Sequence, residues 1–431
     1  MKARLSFALA GVLSAAAAGI AFADDDARTA PAVKLLTTIA VPINPNAPTN
    51  PTTPPTPNTG MKSFDISWVD AGTQLYYLAD RSNQAVDVVD ARHNTFVKQI
   101  MGGFRGFTGS NDTSGPNGVQ VAGNFLFVTD APSRVVTIDL RTDTVVGDVH
   151  TCKPPSAPPA CVISPDRADE LAYDPEDSLI LAVNNADDPP FATFIRVDRN
   201  TGALSWVASI SFADATNGAE QPVWHAGTGR FYISIPQIGP NAQDGAVKRI
   251  NPTTHAVEAT YPVRFCQPAG LTVGPNGDLL VGCSVAFDEA GNPWKRDPNG
   301  AAPAAKPESV IIDARNGSID RRVQGVGGND EVWYNPGDNR YYLAARNQPG
   351  GSSPGNANFS PVLGIIDART MTLDQVVPTF NQAPGSAHSV AVDPRNNHAL
   401  VPLPVNNIVH DCHTGCIAVY GSPRRGERDD D

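Results

Sequence analysis

Residues 388–403 read HSVAVDPRNNHALVPL. Hydrophobic residues alternate with small or polar ones on both sides of the polar segment DPRNN at 393–397. Alternation with a period of two, interrupted by Pro and Asn, is typical of an antiparallel β-hairpin. The stretch therefore predicts two short strands joined by a tight turn.

The same hairpin pattern recurs along the chain. Close copies are ELAYDPEDSLILAV from Glu170, GLTVGPNGDLLVGC from Gly270 and EVWYNPGDNRYYLA from Glu331, and looser copies begin at Asp65, Gly118 and Pro222. The copies start roughly 50–60 residues apart, which is the spacing of β-propeller blades or slightly above it. Seven copies predict seven blades.

A second hairpin completes each repeat. Segments such as VDVVDARHNT at 86–95 predict a third strand, a turn and the start of a fourth strand. The seventh repeat ends after its third strand, IAVYGS at 417–422, and the β-branched segment at 33–43 has the character of the missing strand. We therefore predict an all-β, seven-bladed β-propeller of four-stranded antiparallel blades, closed by an N-terminal strand that removes the open sheet edge.

The hairpin pattern h-x-V-A-V-D-P followed by V-x-V resembles the surface-layer-type and YVTN-type β-propeller repeats, and also the NHL repeats. The resemblance covers about residues 64–422. It implies a propeller fold and no single function, because such repeats serve lactonases, dehydrogenase subunits and pure binding proteins alike.

Composition divides the chain into segments. Lys2 and Arg4 precede an apolar run at 5–22, and Ala21-Phe22-Ala23 fits a cleavage site, which together predict a secretory signal peptide. Pro, Thr and Asn dominate residues 44–60, as in an extended linker. The predicted organisation is a signal peptide at 1–23, an N-terminal segment with the closing strand at 24–43, a linker at 44–60, the propeller at 61–422 and a charged tail at 423–431.

Charge and hydropathy limit the partners and the location. The net charge of −12 is poorly suited to nucleic acid, whose phosphates attract clustered Lys and Arg. No apolar run after the signal peptide is long enough to span a membrane. We expect an exported protein, periplasmic or secreted, without a membrane span and without a nucleic-acid partner.

The six cysteines fall into three local pairs. An even number in an exported chain favours disulfides, and proximity favours the pairs Cys152–Cys161, Cys266–Cys283 and Cys412–Cys416. His410 and His413 flank Cys412 with residue types that suit Zn²⁺, but the spacing matches no zinc signature well.

The insertions between repeats share one position in the pattern. They precede the first strands or separate the second strand from the third, whereas the other turns stay short. In an antiparallel blade these two kinds of connection emerge on the same face, which we call the loop face. Long loops on a rigid scaffold are a usual place for function.

Polar residues mark the starts of the innermost strands, which surround the central channel. We expect eight of them to line one ligand-binding pocket on the loop face: Asn117, Asp169, Glu170, Glu220, Gln221, Asp330, Glu331 and His388. Such side chains suit a hard cation such as Ca²⁺ or Mg²⁺, and the metal candidates are Glu170, Glu220, Glu331 and His388. Crowded acids can also hold one carboxyl at a raised pKa for proton transfer. The structural alternative is that these groups bind water and loop backbone.

Basic residues accompany these acids on the same face. Arg105, Arg167, Arg264 and Arg346 lie in or beside its loops, where they either balance the acids or grip an anionic ligand.

Three functions fit this pattern. The favoured one is an exported propeller that binds a small ligand or a protein partner at the loop face. The first alternative is a metal-dependent, lactonase-like hydrolase or isomerase with its site at the channel mouth. The second is a periplasmic dehydrogenase-type propeller subunit. No residue pattern identifies a catalytic residue.

Overall fold

Seven four-stranded antiparallel sheets make up the structure. The structure is a computed structural model that describes residues 32–47, 57–294, 305–348, 361–379 and 388–423. The predicted signal peptide, much of the predicted linker and nearly all of the charged tail lie outside these residues. No helix among the described residues has the length and apolar character needed to cross a membrane.

In chain order the strands are β1 (Lys34–Ala40), β2 (Ser67–Asp70), β3 (Leu75–Asp80), β4 (Ala85–Asp90), β5 (Thr95–Ile100), β6 (Val119–Ala122), β7 (Phe125–Asp130), β8 (Arg134–Asp139), β9 (Thr144–His150), β10 (Leu171–Asp174), β11 (Leu179–Asn184), β12 (Phe191–Val197), β13 (Leu204–Ser211), β14 (Pro222–His225), β15 (Arg230–Ile235), β16 (Asp244–Asn251), β17 (Ala256–Arg264), β18 (Cys266–Val273), β19 (Asp278–Ala286), β20 (Glu308–Asp313), β21 (Ile319–Gln324), β22 (Val332–Asn335), β23 (Arg340–Ala345), β24 (Val362–Asp367), β25 (Thr372–Pro378), β26 (Ala391–Asp393), β27 (His398–Leu403) and β28 (Cys416–Gly421). A short 3-10 helix, Asn111–Thr113, lies between β5 and β6. Blades one to six take four consecutive strands each, from β2 to β25, and blade seven contains β26, β27, β28 and β1.

The hairpin of blade seven shows how the repeated pattern folds. Ala391 pairs with Leu400 and Asp393 with His398. The turn is closed by the Asn397 N–H, which donates to the Asp393 carbonyl at 2.8 Å. Asn397 has a φ of 60°, a left-handed conformation that Asn adopts more readily than most residues. The polar turn thus sets the register of two hydrophobic strands.

The N-terminal strand closes the ring, as the sequence predicts. β1 pairs antiparallel with β28, from Lys34 opposite Gly421 to Ala40 opposite Cys416. Ile39 is buried with Val419 in one cluster that joins blade seven to blade one. The closing strand therefore contributes both backbone pairing and core side chains.

The core lies between adjacent blades. Tyr77 and Val88 of blade one pack with Leu126 and Val136 of blade two, and other clusters join neighbouring blades in the same way. The innermost strands contact one another around the ring, including β2 with both β6 and β26. This arrangement places the starts of seven innermost strands around one axis.

The long connections follow the second and fourth strands of the blades. For example, residues 101–118 join β5 to β6, whereas residues 71–74 join β2 to β3. Loops from different blades meet on this face, since the Arg167 N–H donates to the Asp112 carbonyl at 2.7 Å.

All three predicted disulfides are formed. They join Cys152 to Cys161, Cys266 to Cys283 and Cys412 to Cys416, with Cα–Cα distances of 5.2, 5.2 and 4.8 Å. Cys266 is the first residue of β18 and Cys283 lies in the paired strand β19, so this bridge ties the ends of two antiparallel strands.

Candidate functional site

Five of the eight predicted site residues line one cavity. Asp169, Glu170, Glu220, Asp330 and His388 surround a space of about 210 Å³, which we call the mouth cavity. They come from blades three, four, six and seven, and each lies just before its innermost strand. The seven-fold arrangement of strand starts brings these distant residues together.

The other three predicted residues are turned toward neighbouring backbone. The Asn117 side chain donates to the carbonyls of Ser114 and Ala168 at 3.0 and 2.8 Å. Gln221 Oε1 accepts from the Leu271 N–H at 2.6 Å, and Glu331 Oε2 accepts from the Val390 N–H at 2.9 Å. These contacts join adjacent blades. Gln221 and Glu331 also line a second cavity deeper in the channel.

A buried ion pair from blade one forms one wall of the mouth cavity. Arg81 Nη2 contacts Asp65 Oδ2, and Arg81 Nε donates to Asn117 Oδ1 at 2.9 Å. The Arg81 side chain is 2% exposed. Burial alone would raise the pKa of Asp65, but the Arg81 guanidinium and His388 hold it well below its usual value. Asp65 is therefore an ionised carboxylate that fixes the guanidinium in place.

Sequence reasoning missed Arg81. It directly follows β3, the second strand of blade one, so its chain position puts it on the loop face. The sequence feature that could have identified Arg81 is a basic residue at the loop-face end of the second strand of a blade. Asp65, at the start of a repeat, carried the same positional signal as the eight predicted residues.

A second ion pair lies across the cavity in blade three. Arg167 Nε is 2.8 Å from Asp169 Oδ1, and Arg167 Nη2 donates to Asp169 Oδ2 at 2.9 Å. This two-pronged geometry is the strong form of a guanidinium–carboxylate pair. Burial would lower the pKa of Arg167, but the nearby acids, first Asp169 and then Asp65, raise it instead. Arg167 is firmly cationic.

The third ion pair, between Arg346 and Asp330 of blade six, is more exposed to solvent. Arg346 Nη1 lies 3.3 Å from Asp330 Oδ2, and the two side chains are 31% and 28% exposed. Among the described residues this is the one ion pair of Arg346, so most of its guanidinium donors are available to a ligand. Lys62 also lines the cavity. Arg105 and Arg264 are not among its lining residues, and Arg264 pairs with Asp244 at 3.3 Å.

Three acids at the cavity have raised pKa values. Burial raises the pKa of Asp169 to about 7, although the Arg167 guanidinium opposes the shift. Burial, reinforced by the charges of Asp169 and Asp330, raises the pKa of Glu220 to about 8. Burial and the nearby acids Asp169, Glu220 and Glu331 raise the pKa of Glu170 well above its usual value. The carboxyl groups of Glu220 and Glu170 are therefore mostly protonated at neutral pH and offer O–H donors to the cavity.

His388 completes the ring of polar groups from blade seven. Its imidazole stacks on Phe64 with ring centroids 5.0 Å apart, and its Nε2 lies 3.4 Å from Asp65 Oδ1. The stack fixes the plane of the ring, so one edge faces the Asp65 carboxylate.

The metal candidates are not grouped as a cation site. Within the described residues, no group of three or more His, Cys, Asp or Glu side chains is placed to hold a metal ion. Cys412 and Cys416, next to His410 and His413, are joined as a disulfide, so their thiolates are not available to zinc.

Comparisons with known proteins identify the fold. No protein-family model matches the chain, and no curated protein matches it. Among solved structures, the chain is similar to a chain of Kuenenia stuttgartiensis hydrazine synthase, with a TM-score of 0.58, 13% identity, and coverage of 84% of this chain and 95% of that chain. A chain of the mitotic checkpoint complex gives a TM-score of 0.54 and 11% identity, with coverage of 96% and 98%. At these identities the similarity shows a β-propeller fold and nothing finer, and the resemblance to surface-layer-type, YVTN-type or NHL-type repeats gains no support from a family model.

Proposed function

We propose that this protein binds a small polar ligand with an anionic group in the mouth cavity. One observation carries the proposal: side chains of both charges from five blades surround a single space of about 210 Å³. Concave sites with convergent polar groups are the usual form of small-molecule sites. A cavity of this size favours a small molecule over a protein partner.

The balance of charge favours an anion. Lys62, Arg81, Arg167 and Arg346 line the cavity as four cations. Asp65, Asp169 and Asp330 each pair with one guanidinium, whereas the raised pKa values of Glu170 and Glu220 keep those two groups mostly neutral at pH 7. Four cations against at most three carboxylates, because burial raises the pKa of Asp169 to about 7, leave a positive surplus for a carboxylate or phosphate ligand.

The three arginines have different roles in this proposal. Arg81 and Arg167 are held rigidly by Asp65 and Asp169, so they set the electrostatic potential of the cavity. Arg346 is more exposed and makes one longer contact with Asp330. We expect Arg346 to contact the anionic group directly, in the two-pronged geometry that guanidinium groups favour.

The metal-dependent alternative lacks a matching arrangement among the described side chains. A metal-dependent hydrolase would need its carboxylates and imidazole grouped around one point, and Glu170, Glu220, Glu331 and His388 are not so grouped. Binding is therefore the function that the geometry supports best.

The test is thermal unfolding of the purified protein with succinate, citrate and inorganic phosphate, and with glycerol as a neutral control. A ligand that binds the folded state raises the melting temperature. Arg346→Met should weaken binding of the best anion by about tenfold or more, as expected for loss of a charge-assisted hydrogen bond. The matched control is Arg369→Met, because Arg369 lies in the β24–β25 turn of the same blade, away from the cavity. No stabilisation by any of the anions, or equal effects of the two variants, would contradict the proposal.

We also propose that the protein is exported to the periplasm or the medium. The three disulfides support this, because disulfides persist in oxidising compartments, and the N-terminal sequence has the features of a signal peptide. Expression of the full chain in a bacterial host, followed by fractionation and N-terminal sequencing, tests this. A mature protein that begins at Asp24 is expected, and an uncleaved cytoplasmic protein would contradict export.

A further inference from the structure

A second cavity of about 600 Å³ occupies the central channel below the mouth cavity. We call it the channel cavity. It is lined by innermost strands of blades one to six and reaches the short turns, where Gly123 and Pro175 line it.

Aromatic side chains form part of the walls of the channel cavity. Five of them line it from four blades: Trp68, Tyr173, Trp224, Trp333 and Tyr334. Trp68 and Trp333 meet edge to face with ring centroids 5.0 Å apart, so their two rings are steeply inclined to each other. Partly buried rings of this kind offer electron-rich faces to a ligand.

The titratable side chains that line the channel cavity are acids. Glu170 and Glu331 both line it, and no Lys, Arg or His of the described residues does so. The mouth cavity, by contrast, has four cationic side chains. The two adjoining cavities therefore differ in their titratable groups, since the described lining of the channel cavity has two acids and no base.

Glu170 lies where the two cavities meet, since it lines both of them. The residue is 8% exposed. Its backbone carbonyl accepts from the Val183 N–H at 2.9 Å, but its carboxyl group makes no hydrogen bond or ion pair with any described residue. Glu331, in contrast, is engaged by Ser389 and Val390. The carboxyl oxygens of Glu170 are not among the fully buried atoms that lack a hydrogen-bond partner, so they open onto the cavities, where a ligand group can reach them.

We propose that the channel cavity binds an organic cation, a protonated or quaternary amine, with its ammonium group between the aromatic rings and the Glu170 carboxyl group, which releases its proton to solvent when the cation binds. Aromatic faces attract such cations, and quaternary ammonium groups are often held in cages of aromatic side chains. A neutral apolar ligand would use the rings but leave Glu170 without a partner. A small hydrated metal ion would use the acid but gain little from five aromatic side chains.

Two probes of the same shape test the charge requirement on the unmodified protein. Choline carries a quaternary ammonium, and 3,3-dimethyl-1-butanol replaces its nitrogen with carbon. Titration followed by tryptophan fluorescence and calorimetry should show choline binding at least about tenfold more tightly than the alcohol, as expected for a desolvated cation–π and carboxylate contact. Equal binding of the two probes, or no choline binding, would overturn the proposal whatever the variants show.

Variants then locate the site. Trp333→Leu and Glu170→Gln should each weaken choline binding by about fivefold or more, and Glu170→Gln should leave the alcohol unaffected. The matched control is Trp206→Leu, because Trp206 lies on the outer strand β13, away from the channel. Melting temperatures verify that the variants are folded. An equal loss with Trp206→Leu, or loss of choline binding in Arg346→Met, would place the cation elsewhere and overturn the assignment.

Discussion

Ala40, at the end of the first strand, lies directly opposite Cys416, at the start of the last strand. Next to this pair, the Val41 N–H donates to the Gly415 carbonyl at 2.9 Å, and Val41 is fully buried. The ring is thus closed by noncovalent pairing between the two ends of the propeller, and its stability depends on a strand that precedes the repeats.

Removing the closing strand should destabilise the whole ring. Deletion of residues 24–43 exposes the edge of β28 and removes the buried side chains of Ile39 and Val41. We expect a loss of at least about 3 kcal/mol in the free energy of unfolding, from two buried aliphatic side chains alone. Urea unfolding followed by circular dichroism measures it. A deletion of residues 24–31 retains the strand and serves as the control. Equal stability of the two deletions would contradict a structural role for closure.

The disulfide between Cys266 and Cys283 should stabilise the protein more than the one between Cys412 and Cys416. The two bridges span sequence separations of 17 and 4 residues, and a longer loop loses more entropy in the unfolded chain when it is closed. Replacing each pair by Ala should lower the free energy of unfolding by about 3 and about 2 kcal/mol respectively. Mass spectrometry of unreduced peptides checks the pairing first. Free thiols at Cys266 and Cys283 would contradict the structure.

Replacement of Glu331 by Gln should be tolerated, whereas its truncation to Ala should destabilise the protein. Burial raises the pKa of Glu331 well above its usual value, although hydrogen bonds from Ser389 and Val390 oppose this. Because the neutral acid resembles an amide, Glu331→Gln should change the free energy of unfolding by less than about 1 kcal/mol. Glu331→Ala should lower it by about 2–4 kcal/mol, since buried donors lose their acceptor and a cavity forms. Glu289→Ala, in an exposed loop, is the control. Equal losses in the Gln and Ala variants would show that the carboxylate form is required.

Glu220 should make stability depend on pH. Its pKa is raised from 4.5 to about 8 in the folded protein. Below pH 4.5 the carboxyl is protonated in both states and has no effect. Between pH 4.5 and 8 the unfolded chain releases the proton while the folded protein retains it, so stability falls as the pH rises.

Glu220→Gln should remove this loss. At pH 8 the variant should be more stable than the parent by up to about 4 kcal/mol, and at pH 4 the two should be equal. Thermal unfolding across this range measures the difference, with Glu289→Gln as the control. A difference that does not change with pH would show that Glu220 does not titrate as described.

Much of the candidate site could be predicted from the positions of its residues in the repeats. Asp169, Glu170, Glu220, Asp330 and His388 could be predicted to converge, because the starts of innermost strands in a closed ring share one axis. Asn117, Gln221 and Glu331 carried the same signal, but their side chains turn to the backbone of neighbouring blades. The direction of a side chain depends on which donors the next blade presents, and a repeat pattern does not contain that information.

The sequence by itself determined the number of blades, the closing strand and the disulfide pairs. These features depend on local periodicity, on a missing strand and on short separations along the chain, which are all visible in one dimension. Only the tertiary structure decided that Arg81 reaches Asp65 and Asn117, that Glu170 lies between two cavities without a partner, and that one cavity is lined by bases and the other by aromatic rings. Those features arise from the packing of different blades against each other, and contacts between blades are set by the closed ring rather than by any single repeat.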